Sequence, residues 1–408
     1  MYDEWMKPQI MDYELKEQTM TILIVDDNPT NVIIIREILK KENYLDICSS
    51  TSAKCMFEIL GIDNHPNQVV PNKSNIDLIL LDMMMPEMDG IEACRVIQHY
   101  SHLRDIPIIM VTAVGDSKKL AEALDSGAVD YVTKPINKVE LMARIRLALR
   151  LKKENDWHKE RDQRIQEELR IAALVQNAVL TSPIEDDLFE VHALYKPSAV
   201  LAGDLYAWYQ LRDGRYGIIV LDMMGHGISS SLVCMFIASV LKDTITTYVE
   251  PEKVIQELNR RLYQLYIENE LIQYYFTAIY LVVDTRKKRV DYVNAGHPPA
   301  LFFQGNESAV MLHQVCYPVG LFDTIEVQQK SFNYDGDSHI ALYTDGLMEI
   351  VAGDYDAQMA YLISYFEGNH EWDEGMMQQA FFNIELQQVR DDDKCLVWIS
   401  LKEGGSPE

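Results

Sequence analysis

The chain has 408 residues, 48% of them hydrophobic, which is too long for one ordinary core and apolar enough to fill two. A formal net charge of -26 and a pI near 4.7 argue against a phosphate backbone or an anionic membrane surface as partner, so neither nucleic acid nor membrane is expected. The six cysteines, Cys48, Cys55, Cys94, Cys234, Cys316 and Cys395, lie far apart without a CxxC pair, which excludes a zinc ribbon or redox couple and implies reduced, mostly buried thiols.

Residues 1–20 form an N-terminal extension of mixed charge with no apolar signal core. No later stretch reads as the ~20 apolar residues of a spanning helix, so a soluble, cytoplasmic protein is expected. From 21 to 151, short hydrophobic runs alternate with amphipathic stretches. TILIVD (21–26), DLILLD (77–82), PIIMVT (107–112) and AVDYVT (128–133) are near-continuous apolar runs, as strands buried on both faces should be, and a weaker strand lies around 45–48. Apolar stripes at 31–41, 52–60, 90–100, 118–126 and 138–150 predict the intervening helices. The fold class is therefore α/β, a doubly wound five-stranded parallel sheet, with 61–75 as a long polar surface loop.

The fifth helix has no stop signal before Pro183, so 152–182 is read as a helical linker and lead-in helix. Residues 152–164 are nearly all polar, either a solvated helix or a hinge. Ile165, Leu169, Ala172, Gln176 and Val179 recur at alternating four- and three-residue steps, a coiled-coil-like seam. Two heptads are short, and the spacing leaves a homodimer through this helix and a monomeric linker equally open. Beyond Pro183 the pattern changes to antiparallel strands at 189–195, 216–222, 275–284, 290–294, 339–343 and 396–401, with helices at 229–242, 251–268, 356–367 and 373–389. Such runs predict an α+β domain over 183–408, an antiparallel β-sandwich flanked by helices.

Asp26 and Asp27 close the first predicted strand, Asp82 closes the third, and Lys134 follows the fifth. In a parallel sheet these ends share one edge, where crowded carboxylates need a hard cation and a basic neighbour. A single aspartate at a loop mouth is ordinary; all of these together point to a magnesium site beside a lysine. IVDDN, LLDMMMPEMDG, MVTA and YVTKP resemble, in order and position, the response-regulator receiver domain across 21–151. The resemblance implies that Asp82 is the phosphoacceptor, becoming 4-aspartylphosphate. It also implies Mg²⁺ held by Asp27, Asp82 and the Met84 carbonyl, with Asp26 through water, and Thr112 and Lys134 gripping the phosphoryl oxygens. Thr112 and Tyr131 would form the switch, and Lys134-Pro135 a cis peptide. The implied phosphoryl donor is a sensor histidine kinase or a phosphotransfer protein.

In the C-terminal half, acidic residues recur beside glycines or in a run: AGD at Asp204, LDMMGHG at Asp222, YTDG at Asp345, and RDDDKC at 391–393. Convergence from separate strands would build an all-oxygen cage suited to Mg²⁺ or Mn²⁺. There is no GxSxG serine-hydrolase string, and His226 has no paired serine motif. LAGDLYAW, DMMGHGISSSL, NAGHPPALF, YPVGL, YTDGLMEI and RDDDKCLVWI, preceded by EELRIAALVQNAVL, resemble the SpoIIE-like branch of the metal-dependent PPM (type 2C) serine/threonine protein phosphatases.

That resemblance implies two Mn²⁺ or Mg²⁺ ions. Asp222 would bridge them, Asp204 and the Met223 carbonyl would serve one, and Asp345 with Asp392 the other, with Asp393 next in line. Gly203, Gly225, Gly227 and Gly346 would be turn residues, His226 would be positional or act on the leaving group, and His297 would be structural. The family commonly has Asp where Ala207 stands and Thr where Cys395 stands, which leaves an accessory metal site and the catalytic rate open. The implied function is a stress-response phosphatase in a partner-switching pathway. It would act on a phosphoserine or phosphothreonine of a STAS-type anti-sigma-factor antagonist under control of Asp82. The alternative is a non-enzymatic adaptor with a degenerate phosphatase domain.

Overall fold

Buried hydrophobic runs pair side by side in the first half of the chain, and the helices between them cover both faces of the resulting sheet. In this computed structural model the described residues are 20–62, 76–113, 117–225, 227–269, 274–305, 307–368, 372–382 and 392–403. The N-terminal extension to residue 19, the loop over 63–75, His226, residues 383–389 of the expected last helix, and 390–391 lie outside them. The chain divides into two units, Met1–Arg164 and Ile165–Glu408.

The first unit runs β1 (Ile22–Val25), α1 (Pro29–Lys41), β2 (Ile47–Ser50), α2 (Ala53–Leu60), β3 (Leu78–Asp82), α3 (Gly90–Gln98), β4 (Ile108–Thr112), α4 (Ser117–Asp125), β5 (Asp130–Thr133) and α5 (Lys138–Asn177). All five strands are parallel, in the order β2-β1-β3-β4-β5. Leu23, Ile79, Leu81 and Met110 pack one face against α2, α3 and α4; Ile24, Leu80, Ile109 and Val111 pack the other against α1 and α5. Side-chain caps start the helices: Asn28 accepts from Thr30 N, Ser52 from Cys55 N, and Asp89 from Glu92 N. Gly61 ends α2 in the left-handed conformation.

Helix α5 buries Leu141, Met142, Ile145, Ala148 and Leu149 under the sheet. The polar stretch after it stays helical rather than hinged. Its surface carries the i,i+4 pairs Arg150–Glu154 and Lys152–Asp156, which support a solvated helix.

The second unit continues with β6 (Ile184–Glu185), β7 (Phe189–Lys196), β8 (Asp204–Gln210), β9 (Arg215–Met223), α6 (Ile228–Tyr248), α7 (Pro251–Asn269), β10 (Phe276–Asp284), β11 (Arg289–Ala295), β12 (Ala300–Gln304) and β13 (Val310–Leu312). It ends with β14 (Lys330–Asn333), β15 (Ser338–Tyr343), α8 (Asp345–Met348), α9 (Tyr355–Gly368), α10 (Glu374–Met377) and β16 (Lys394–Leu401). One sheet has the order β14-β11-β10-β9-β8 and the other β13-β12-β15-β16-β7-β6. Alternating side chains separate three cores: Trp208, Ile218, Val220, Ile279, Leu281, Ile340, Val397 and Ile399 between the sheets; Leu221, Ile237, Leu241, Leu258 and Tyr280 under α6 and α7; and Phe303, Phe366, Phe381 and Trp398 under α9 and α10.

Strands β6, β8, β12, β13 and β14 are additions to the sequence expectation. DLYAWYQ mixes aromatic and polar residues and sits between glycine-bearing strings that read as turns. α6 also differs from expectation, because its length and hydropathy match those of a membrane-crossing helix. In this fold it is a core helix, with Cys234, Ile237, Leu241 and Ile245 buried against the sheet.

Candidate phosphoacceptor and metal-binding sites

The parallel order of the first sheet brings the ends of β1 and β3 side by side, and with them Asp26, Asp27 and Asp82. Their carboxylate oxygens lie within 4.8 Å of one another, the one such group of three acidic or metal-ligating side chains among the described residues. Asp26 and Asp82 are buried while Asp27 is exposed. Lys134 Nζ reaches both buried carboxylates, at 2.9 Å from Asp26 Oδ2 and 3.0 Å from Asp82 Oδ2. The other oxygen of Asp26 accepts from the Asn28 backbone and the Asn31 side chain, which orients it.

Burial pushes the Asp82 carboxyl above its ordinary range, Lys134 opposes that shift, and Asp26 adds to it. Burial also works against the charge on Lys134, but its hydrogen bonds to Asp26 and Asp82 hold its pKa above the usual value. A cluster of three carboxylates facing one ammonium remains short of positive charge, and an oxygen-seeking divalent cation fits that deficit.

Thr112 ends β4, fully buried, with its hydroxyl 3.4 Å from Met83 Sδ, and the Lys134 N–H donates to its carbonyl at 2.7 Å. Tyr131 on β5 is half-buried with the Arg144 guanidinium 5.4 Å from its ring centroid; Arg144 pairs with Asp130 and Glu140. The Lys134-Pro135 peptide is cis. Met84 leaves the strand end with an exposed side chain. Gly90 allows the start of α3 to pack here, since a Cβ would stand 2.3 Å from the Asp82 carbonyl oxygen.

In the second unit, antiparallel pairing places Asp204 on β8 directly opposite Asp222 on β9. Asp345 opens α8 just past β15, and Asp392 precedes β16, the neighbour of β15. Asp204 is buried, and its Oδ2 has no hydrogen-bond partner. Burial, then the charges of Asp222 and Asp393, raise its pKa well above the carboxylate range. Burial and the charges of Asp345 and Asp392 push Asp222 up to about 7, and burial with Asp392 raises Asp345. No three of these carboxylates group as tightly as the triple of the first unit, yet the charges of Asp222 and Asp393 work against ionised Asp204, those of Asp345 and Asp392 against ionised Asp222, and that of Asp392 against ionised Asp345. A hydrogen bond with Asp204 acts the other way on Asp222. An orphaned buried oxygen among mutually repelling carboxylates fits divalent cations with oxygen ligands.

Asp392 and Asp393 divide their roles. Asp393 is buried and spends both oxygens on the chain: Oδ1 accepts from Ser198 N (2.7 Å) and Ser198 Oγ (2.9 Å), and Oδ2 from Gly203 N (2.7 Å). It ties the β7–β8 loop to the start of β16, whereas Asp392 bears electrostatically on Asp222 and Asp345. Gly346 makes this crossing possible, since a Cβ there would lie 2.1 Å from the Asp393 carbonyl oxygen. Gly225 and Gly227 have φ of +80° and +94°.

Ala207 is buried beneath α6 and offers packing only; Cys395 is buried between the sheets, its N–H donating to Thr344 Oγ1 at 3.1 Å. His297 is buried, its Nδ1 2.8 Å from Thr277 Oγ1, and burial lowers its pKa to about 3. Thr277 stands opposite Asp222 across β9 and β10. Thr277 and Thr344 have no role at the site by sequence alone, although Thr344 stands in the YTDG string, and Gln176 is expected only in the α5 seam; the contacts of all three emerge from the fold.

Two family models match the chain: the response regulator receiver domain over residues 22–146, and Stage II sporulation protein E (SpoIIE) over residues 212–402. The chain joins a receiver domain to a SpoIIE-family domain. The SpoIIE-family part is similar to the phosphoserine phosphatase RsbP of Bacillus subtilis (strain 168), 41% identical over 239 residues, 58% of each chain. The receiver is similar to that of the transcriptional regulatory protein YvrH of the same organism, 41% identical over 133 residues, 33% of this chain and 50% of the relative. The chain thus spans about half the length of these curated relatives. A solved PP2C domain of SiaA from Pseudomonas aeruginosa matches 59% of this chain and 98% of its own at 18% identity, with a TM-score of 0.48.

Proposed function

We propose that this chain is a cytoplasmic, metal-dependent protein serine/threonine phosphatase whose rate is set by phosphorylation of Asp82. The carrying observation is the convergence of Asp204, Asp222, Asp345 and Asp392, with the unpartnered Asp204 Oδ2, in a domain 41% identical to a phosphoserine phosphatase. Asp222 would serve both of two divalent ions, with Asp204 and the Met223 carbonyl holding the first and Asp345 and Asp392 the second. Mn²⁺ or Mg²⁺ bound there would supply positive charge for the phosphoryl oxygens and acidify the attacking water. Asp393 keeps the Ser198–Gly203 turn against β16, so that Asp204 faces Asp222. The Cys395 N–H, donating to Thr344 Oγ1, ties the end of β15 beside Asp345 to the start of β16 beyond Asp392.

In the receiver, Asp82 is the nucleophile toward a phosphoryl group delivered by a sensor histidine kinase or phosphotransfer protein, and Asp26, Asp27, Asp82 and the Met84 carbonyl are the Mg²⁺ set. Lys134 and Thr112 hold the phosphoryl oxygens once transfer is complete. Thr112 and Tyr131 report the change. The receiver occupies 21–151 and the linker with its lead-in helix 152–182, leaving 183–408 for the phosphatase. The substrate is a phosphoserine or phosphothreonine protein, with a STAS-type antagonist of an anti-sigma factor in a partner-switching pathway as the specific candidate.

Turnover of a phosphoserine peptide by the full chain with Mn²⁺ tests the reading. Chelation or Asp345→Asn is expected to lower kcat at least a hundredfold. A wild-type protein with no Mn²⁺-dependent turnover contradicts it and favours the adaptor reading, which the missing carboxylate at Ala207 keeps in view.

A further inference from the structure

The turn between β7 and β8 carries Asp204 at its end, and two side chains satisfy its backbone. Asp393 holds Ser198 and Gly203 from the base of β16, a strand whose eight residues are all buried. The second holder is Gln176, in the last turn of α5. Its Nε2 donates to the Ala202 carbonyl at 2.8 Å and its Oε1 accepts from the Ala202 N–H at 3.0 Å. The side-chain amide thus completes both backbone groups of the residue two before Asp204. Gln176 is only 3% exposed and Ala202 is fully buried, so neither group has water to fall back on.

The two holders differ in what supports them. Asp393 is fixed by the sheet. Gln176 is fixed by a helix whose neighbouring side chains divide, with Val179 and Leu180 packing into the core under α6 and α7 and Leu174 and Val175 exposed. A small rotation or slide of this helix would leave the Ala202 N–H and C=O buried without partners. The turn would follow the helix rather than stay behind.

We propose that Gln176 is a positioning residue for Asp204, the point at which the lead-in helix sets the ligand-bearing turn. The claim that Gln176 clamps the turn stands on the hydrogen bonds; its consequence for turnover rests on the phosphatase reading. Asp204 is placed by a side chain that the helix can withdraw, whereas Asp222, in the middle sheet ladder between β8 and β10, has no such dependence.

The test compares the full-length wild type with Gln176→Met, which keeps length and helix preference while removing both hydrogen bonds. Amide exchange at 202–205 is expected to accelerate tenfold or more, with β9 and β16 unchanged. Mn²⁺ binding, followed by the paramagnetic signal of the free ion, should weaken about tenfold. The kcat should fall with KM for the phosphopeptide within twofold of wild type. Exchange and Mn²⁺ binding both within twofold of wild type would overturn the proposal, as would faster exchange with unchanged Mn²⁺ affinity. Should Gln176→Met fail to fold, Gln176→Glu, which retains only the acceptor for the Ala202 N–H, must show the same changes in exchange and Mn²⁺ affinity. If exchange and Mn²⁺ affinity respond while the wild type has no turnover, the phosphatase reading falls and the role of Gln176 stands.

Discussion

Asp204 and His297 show two ways of burying a titratable group. Asp204 sits among other carboxylates with one oxygen unpartnered, an arrangement that calls for a cation. His297 sits neutral, with Thr277 on Nδ1 and the Asn294 side chain accepting from its backbone N–H. Its pKa is about 3 in the fold and near 6.5 in the unfolded chain. Above pH 6.5 both states are neutral at this residue. As pH falls toward 3, the unfolded chain takes up a proton that the fold refuses, so stability is lost with acid. One such proton is worth about 1.4 kcal/mol per pH unit. Urea unfolding of the SpoIIE-family domain should therefore lose up to about 2 kcal/mol more between pH 7 and 5 in the wild type than in His297→Gln. Parallel losses in the two proteins would remove His297 from the acid response.

At the scale of elements, the five βα units were legible because four of the strands lie in near-continuous apolar runs and each helix is amphipathic; β2, Ile47–Ser50, ends in two serines at the sheet edge and so lies two residues beyond its expected place at 45–48. The aspartates at the strand ends stood out because glycine, proline or a second acid flanks them. Strand β8 was not legible, since Tyr206 and Trp208 face the inter-sheet core while Leu205 and Ala207 face the helices, which erases the polar alternation of a half-exposed strand. The aspartate run RDDDKC could not assign its own members, because the register of β16 decides that Asp393 turns toward Ser198 and Gly203. The seam on α5 carried a similar ambiguity. A four-three spacing reports a face but not its partner, and Gln176 and Val179 turn into the SpoIIE-family domain while Ile165, Ile171, Leu174 and Val175 are left exposed. If the chain is a homodimer through this helix, that exposed face is the contact. Leu174→Glu with Val175→Lys should then shift the sedimentation coefficient from dimer to monomer while the far-ultraviolet dichroism stays constant; an unchanged coefficient would place any dimer elsewhere.

At the scale of the whole molecule, one helix, Lys138–Asn177, runs from a receiver with three clustered carboxylates to a SpoIIE-family domain with its own group of mutually raised carboxylates, to which the proposed function assigns the gain and the removal of a phosphoryl group. The helix begins under the receiver sheet through Leu141, Met142 and Ile145 and ends with Gln176 on the turn that carries Asp204. The proposed function makes charge at Asp82 and turnover at Asp222 consecutive events along this one chain. With a net charge of -26, the proposed recognition of a phosphorylated protein would rest on local geometry rather than on a general attraction for phosphate. The most direct measurement is the rate of Mn²⁺-dependent phosphoserine hydrolysis by the full chain with and without beryllium fluoride, a mimic of the phosphoryl group on Asp82. The account predicts a change of at least fivefold that disappears in Asp82→Asn. Equal rates with and without the mimic in the wild type, or a change that persists in Asp82→Asn, would contradict it.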